Sequence, residues 1–333
     1  MRKKSRELVV LKDDWFDQQP DANDVVAERL ANFYVPHPGL KGISQGIREL
    51  VKYGNIGMYA RRPARSATIV GESGSGKSRL LSEISRQFPA YIENGIPVYR
   101  ILLVSVPSNA TVKGLNAAIN RAMGVQEPFA MEGTETQQTE IMLTRLKEYK
   151  VRLLVLDEVQ HLFKDGKKII QKVSDHIVAL LNNRVCPVLV VGTGRALDIF
   201  DLIPEQRRRS LGVYYLEAMD WNNEKEKAHY ISFLHDMEEH MEFKVRPKLW
   251  KKDTALRLYV FTGGLIGLTA DVVIAATIRA MEDGEDTITH DVLRKVVDRM
   301  KRQNKLPQPN PFNANAKLVP VKSKIRVSEQ VNA

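Results

Sequence analysis

The chain is short of cysteine, short of aromatics and without a long apolar run, and each shortage removes a class of protein. A single cysteine, Cys186, in 333 residues excludes an internal disulfide framework and suits a reducing interior. No stretch reaches the roughly 18 consecutive apolar residues that a membrane-crossing helix needs, so no membrane partner is expected. The opening "MRKKSRELVVLKDDWF" acquires acids before any long apolar segment, unlike a secretory leader, and a cytoplasmic location follows as the expectation. Aromatic residues make up 7% and do not interleave with basic ones, which argues against base stacking on single strands.

What is present is positive charge, unevenly spread. Fifty Lys and Arg against forty Asp and Glu leave a formal charge of +10, which favours a polyanionic partner. Basic residues gather at 41–65, 164–172, 207–209 and 294–326, whereas 217–242 is mainly acidic. Such segregation suits one face for nucleic acid and another for protein, although solvated helix faces would look similar.

Strand-like and helix-like runs alternate through the middle. "SATIVG" (66–71), "VYRILLVSVP" (98–107), "RLLVLDE" (152–158), "PVLVVGTG" (187–194) and "VYYLE" (213–217) read as strands. Between them 78–88, 112–123, 137–150 and 169–182 carry helical spacing. Near-continuous apolar strands separated by helices predict an α/β fold with a parallel sheet covered on both faces. After residue 220 only helical periodicity remains, at 224–241, 254–262, 269–281 and 291–303, which predicts an all-helical lid. The expected division is an arm and leading helix at 1–39, a nucleotide-binding α/β domain at 40–220, the helical lid at 221–303, and a flexible tail at 304–333.

"GESGSGKS", Gly71 to Ser78, fits the phosphate-loop pattern without departure and stands between a strand and a helix. Gly71, Gly74 and Gly76 let successive N–H groups of Gly71, Glu72, Ser73, Gly74, Ser75, Gly76, Lys77, Ser78 and Arg79 face a phosphate. Lys77 would reach the β- and γ-phosphates of ATP, and Ser78 would ligate Mg²⁺. "LLVLDE" then delivers Asp157, a second Mg²⁺ ligand, and Glu158, which would orient or deprotonate the attacking water. Thr193 in "VVGTG" either meets the γ-phosphate or is a turn threonine. His161 is assigned a structural or signalling part. Cys186 reads as a packed small residue.

Arg207, Arg208 and Arg209 precede the last strand. The order of loop, acidic strand, polar strand end, arginine cluster and helical lid resembles the AAA+ P-loop NTPase family. That resemblance implies a homo-oligomer in which one arginine of the cluster reaches the neighbour's γ-phosphate, a contact worth ~10³–10⁵-fold in rate. Which one is open, and a basic patch remains the alternative. Many members carry a lid arginine where "TGGLIGLTADVV" has Gly267, so hydrolysis is expected to be slow and regulated.

"SATIVGESGSGKSRLL", "LLVLDEVQHLF", "PVLVVGTGRALDIF" and "GGLIGLTADVV" together resemble the TniB/TnsC group of transposition regulators over about residues 40–300. The resemblance implies ATP-dependent rings or filaments on double-stranded DNA that connect a target-selection protein with transposase subunits. Thr111 and Lys113 are candidates for phosphate contacts near a helix N-terminus, as are Lys164, Lys167 and Lys168, each set being otherwise an ordinary solvated face. A replication initiator or helicase loader shares every nucleotide residue named, although no winged helix is recognisable after residue 303. A non-turnover, ATP-gated scaffold is the alternative of a different class. The absence of "LSGGQ" disfavours a transport ATPase.

Overall fold

The computed structural model describes residues 25, 28–30, 34, 39–57, 64–108, 111–125, 133–165, 167–197, 210–304 and 309–324. Helix α1 (Gly39–Gly57) leads into β1 (Ser66–Val70) and α2 (Lys77–Gln87). A small hairpin, β2 (Tyr91–Glu93) and β3 (Ile96–Val98), precedes β4 (Leu102–Ser105), α3 (Val112–Ala122) and α4 (Glu135–Glu148). Strand β5 (Leu154–Asp157), a 3-10 turn (Val159–Asp165), α5 (Lys167–Asn182), β6 (Val188–Gly192) and β7 (Ser210–Tyr215) complete the sheet half. Helices α6 (Glu224–Glu239), α7 (Lys252–Thr262), α8 (Ile266–Glu282) and α9 (His290–Asn304) form the rest.

The main sheet is five-stranded in the order β4-β5-β6-β1-β7, and every pairing in it is parallel. All residues of β1, β5 and β6 are buried, which is why these strands are apolar on both alternating faces. Leu154, Leu156, Val188 and Val190 face a core shared with α3, α4 and α5. Leu153, Val155, Leu189 and Val191 face the other way, onto α1 and α2. Each fully buried aliphatic side chain contributes roughly 1.5–3 kcal/mol.

Local signals set the helices. In α2 the buried residues Lys77, Leu80, Leu81 and Ile84 follow the three-four spacing of a helix with one face on the core. Thr111 caps α3 by accepting from the Gly114 amide at 3.0 Å, and Thr134 with Gln137 forms a reciprocal capping box on α4. Helices α3, α4 and α5 also share a buried polar chain. Asn116 Oδ1 lies 2.7 Å from His176 Nε2, and Asn116 Nδ2 donates to Thr139 Oγ1 at 2.8 Å. Burial without a charged partner pushes His176 down to about 4.

The helical half packs around Trp221, Tyr230 and Tyr259, whose rings lie 5.1–6.2 Å apart. The two tyrosine hydroxyls are bonded inside the core. Tyr230 Oη is 3.0 Å from Thr269 Oγ1, which donates to Leu265 O at 2.8 Å. Tyr259 Oη donates to Met219 O at 3.0 Å. No single helix among the described residues is long and apolar enough to cross a membrane.

Three features depart from the sequence reading. The span 98–107 is divided between β3 and β4, and β3 turns back on β2 through Asn94 and Gly95, both at positive φ. Helix α1 occupies much of the basic stretch 41–65, with Ile43, Ile47 and Leu50 buried. The flexible tail expected from 304 onward is corrected for residues 309–324, which form a strap on the helical half. Phe312 is buried in its core, Asn310 Nδ2 donates to Arg294 O and Asp298 Oδ1, and Ser323 N donates to Gly263 O at 2.8 Å. One buried ring and these bonds anchor a segment whose composition alone suggests disorder.

Candidate functional site: the carboxyl ends of strands 1, 5 and 6

The loops after β1, β5 and β6 meet where the strand order turns back on itself, the place where open α/β sheets bind ligands. The chain enters residues 71–78 through Gly71 N, which donates to Gly192 O at 3.0 Å, while Leu216 N holds Val70 O at 2.7 Å. The loop is thus hung between β6 and the end of β7. Gly74 and Gly76 have φ of +80° and +99°, a conformation other L-residues rarely adopt.

Lys77 is buried, and its Nζ donates to Gly71 O at 2.8 Å and Glu72 O at 2.9 Å. Burial lowers its pKa, against the opposing pull of Glu158, Asp157 and Glu72. Ser75 Oγ is buried without a hydrogen-bond partner. Among the described residues, an ammonium hydrogen-bonded to loop carbonyls alone and a hydroxyl without a partner fit a cradle built for an anionic ligand.

Asp157 ends β5 and is buried. Its Oδ2 accepts from Ser78 Oγ at 3.4 Å and its Oδ1 from the Glu158 amide at 2.8 Å. Burial raises its pKa, and the Glu158 amide bond opposes that most. A hydroxyl facing a carboxylate is the hard-oxygen donor set that a magnesium ion takes through one or two protein ligands, so these residues fit the ion.

Glu158 has φ +59°. A left-handed backbone at a glutamate is uncommon, and such strain collects at functional sites. Gln160 Nε2 donates to Glu158 Oε2, and His161 Nε2 lies 4.0 Å away. His161 Nδ1 in turn bonds Val106 O at 3.1 Å, in keeping with a structural part for that ring. Gln160 Oε1 accepts from Thr193 N at 3.2 Å. The Gln160 carboxamide therefore ties the acid after β5 to the threonine after β6. Sequence reasoning passed over Gln160; its place two residues past the acids in "DEVQ" was the available signal.

The structure brings together the 71–78 loop, Asp157, Glu158 and Thr193. Arg79 points to the helical half, where Asp271 of α8 offsets the effect of burial on its pKa. Arg207, Arg208 and Arg209 lie outside the described residues. The Thr111 hydroxyl is engaged as the α3 cap, and Lys113 follows it, partly exposed, in the first turn. Lys164 is placed in the 3-10 turn and Lys167 and Lys168 at the start of α5 by main chain only. Cys186 is buried and unpaired, with burial pushing its thiol up to about 12, as suits a packing residue.

The sequence model of a family described as "Bacterial TniB protein" matches residues 29–212. A search of curated proteins gave no match. Among solved structures, Cdc6p from Pyrobaculum aerophilum is similar at 17% identity, with 86% of this chain and 74% of that chain covered and a TM-score of 0.57. The Aeropyrum pernix ORC2 protein, solved with ADPNP and ADP, is also 17% identical, covering 81% and 71% at a TM-score of 0.55. The ORC1 protein of the same organism, solved in complex with DNA, is 15% identical, covering 81% and 67% at 0.51. At such identities the likeness is one of fold, the AAA+ P-loop arrangement with carboxyl-terminal helices.

Proposed function

Because the chain belongs to the bacterial TniB protein family, we propose that it is an ATP-hydrolysing regulator of DNA transposition. It assembles as rings or filaments on double-stranded DNA and links target-selection proteins to the transposase. The observation that supports this most is the convergence of Lys77, Ser78, Asp157, Glu158 and Thr193 at three neighbouring strand ends, inside the stretch that the family shares.

In this reading Lys77 exchanges its two carbonyl partners for the β- and γ-phosphate oxygens of ATP, while the loop amides and the start of α2 take up the remaining charge. Ser78 and Asp157 would hold magnesium, which would supply positive charge to offset that of the phosphates. Glu158 aligns the attacking water and accepts its proton, and Gln160 sets where the carboxylate points. Thr193 offers a hydroxyl to the γ-phosphate or to that water. The γ-phosphoryl still needs a cation in the transition state, and the cluster 207–209 supplies it from a neighbouring copy. Repetition around the assembly makes individually weak phosphate contacts to DNA add up. A second reading, a replication initiator or helicase loader, draws on the ORC and Cdc6 likeness, which concerns fold alone.

The test is electron microscopy of the protein with a long DNA duplex, in a slowly hydrolysed ATP analogue and in ADP. Rings or filaments with the analogue only are the expected result. Dispersed single copies in both would remove the interfacial arginine and the transposition reading together.

A further inference from the structure

Gly267 stands in the first turn of α8 without a positive φ, so backbone freedom does not account for a glycine there. Its surroundings do. A Cβ at this position would lie 2.6 Å from Gly74 O and 2.8 Å from Gly76 N, closer than real Cβ atoms approach other heavy atoms. The contact is mutual, since a Cβ on Gly74 would lie 2.9 Å from Leu268 Cβ. Next to it, Leu268 N donates to Gly74 O at 2.8 Å.

That bond fixes one peptide plane of the phosphate loop. The Gly74 carbonyl is held by α8, and the N–H of the same planar unit, that of Ser75, closes onto Glu72 O at 3.1 Å. The peptide is pinned from both sides by the chain's own main-chain bonds. The turn that carries the contact is itself anchored. Met219 N donates to Gly264 O at 2.9 Å, and Thr269 bonds Leu265 O, Thr262 and Tyr230. Arg79 of α2 and Asp271 of α8 interact across the same joint.

We propose that Gly267 and Leu268 are positioning residues that hold the phosphate loop in its nucleotide-ready shape through main-chain contact. Where related proteins have an arginine that meets the nucleotide with charge, this chain has a glycine that lets the lid's backbone sit directly on the loop. A side chain at 267 separates the two halves instead of reaching the ligand. The inference rests on the reading of residues 71–78 as a nucleoside triphosphate loop, and it assigns the coupling between that loop and the lid.

The experiment measures binding of a fluorescent ATP analogue to the full chain, wild type against Gly267→Ala, with Gly42→Ala as control because a Cβ there meets nothing within 4 Å. Gly267→Ala is expected to weaken binding about tenfold or more, the scale of overpacking one methyl against a fixed backbone. It should raise KM for ATP while the rate at saturating ATP changes far less, and Gly42→Ala should leave both unchanged. Hydrogen exchange on the wild type supplies a readout that needs no variant. The analogue should slow exchange in 265–270 together with 71–79. Protection of 71–79 with none in 265–270, or equal affinity in Gly267→Ala, overturns the clamp and leaves the nucleotide reading standing. No binding by the wild type, with no protection of 71–79, overturns both.

Discussion

In the sheet half, Leu154, Leu156, Val188 and Val190 on one face and Leu153, Val155, Leu189 and Val191 on the other are buried among apolar neighbours. In the helical half the largest fully buried side chains are Tyr230 and Tyr259, and both carry hydroxyls bonded within the core. Aliphatic contacts are non-directional and tolerate exchange at constant volume. The strands can afford this because the ladder of backbone bonds sets their positions. Helices have no such ladder between them. Directional hydroxyl bonds on Leu265 O and Met219 O do the equivalent work where α7 turns into α8, and that turn meets the phosphate loop. The strands are specified by what they exclude from water, the turn behind the phosphate loop by which donor faces which acceptor.

The sharpest way to break this contrast is to move chemistry out of the sheet half. Glu158→Gln should lower hydrolysis by ~10²–10⁴-fold while assembly on DNA persists, as single-turnover assays and sedimentation would show. A residual rate near wild type would put the proton acceptor elsewhere. Next, Leu154→Ala should cost about 2–5 kcal/mol of stability with little change in nucleotide affinity at a temperature where the variant is folded. Thr269→Val should cost less, about 1–3 kcal/mol, yet weaken nucleotide binding more, because it frees the turn behind the clamp. Paired urea melts and nucleotide titrations decide; the opposite ranking would erase the distinction between the halves.

Acid should separate the halves as well. His176 ionises at about 4 in the folded chain against a usual 6.5, so the unfolded chain binds more protons between those values. Stability from this residue is complete above pH 6.5 and falls as pH drops to about 4, by about 3 kcal/mol in all. Urea melts of the wild type and His176→Gln at pH 7 and pH 5 should show the variant losing part of that slope. Equal slopes would mean that the ring is already accessible.

Much of the sheet half was legible because its rules are local. A glycine-rich loop after an apolar strand, and two acids at the end of another, can be placed side by side from spacing alone, and the structure sets the Ser78 hydroxyl 3.4 Å from Asp157. Parts that depend on distant partners were not legible. Gln160 matters only because Thr193 comes alongside on the next strand. Gly267 looks like a missing arginine until Gly74 and Gly76 are placed against it. The β2–β3 hairpin had a visible sign in "ENGIP", where Asn-Gly marks a tight turn, but each strand spans only three residues. The strap hid behind a composition rich in proline and asparagine, with Phe312 its one aromatic residue.

That strap has a consequence for how the chain is made. The sheet half has its own strands and covering helices once residue 216 exists, whereas Gly263 acquires its contact with Ser323, and Glu217 its contact with Lys322, only much later. At roughly 5–20 residues per second the intervening segment takes several seconds to synthesise. During that interval the helices that hold the phosphate loop from behind lack their outer brace. The helical half therefore completes its packing later than the sheet half, since Phe312 of the strap belongs to its core.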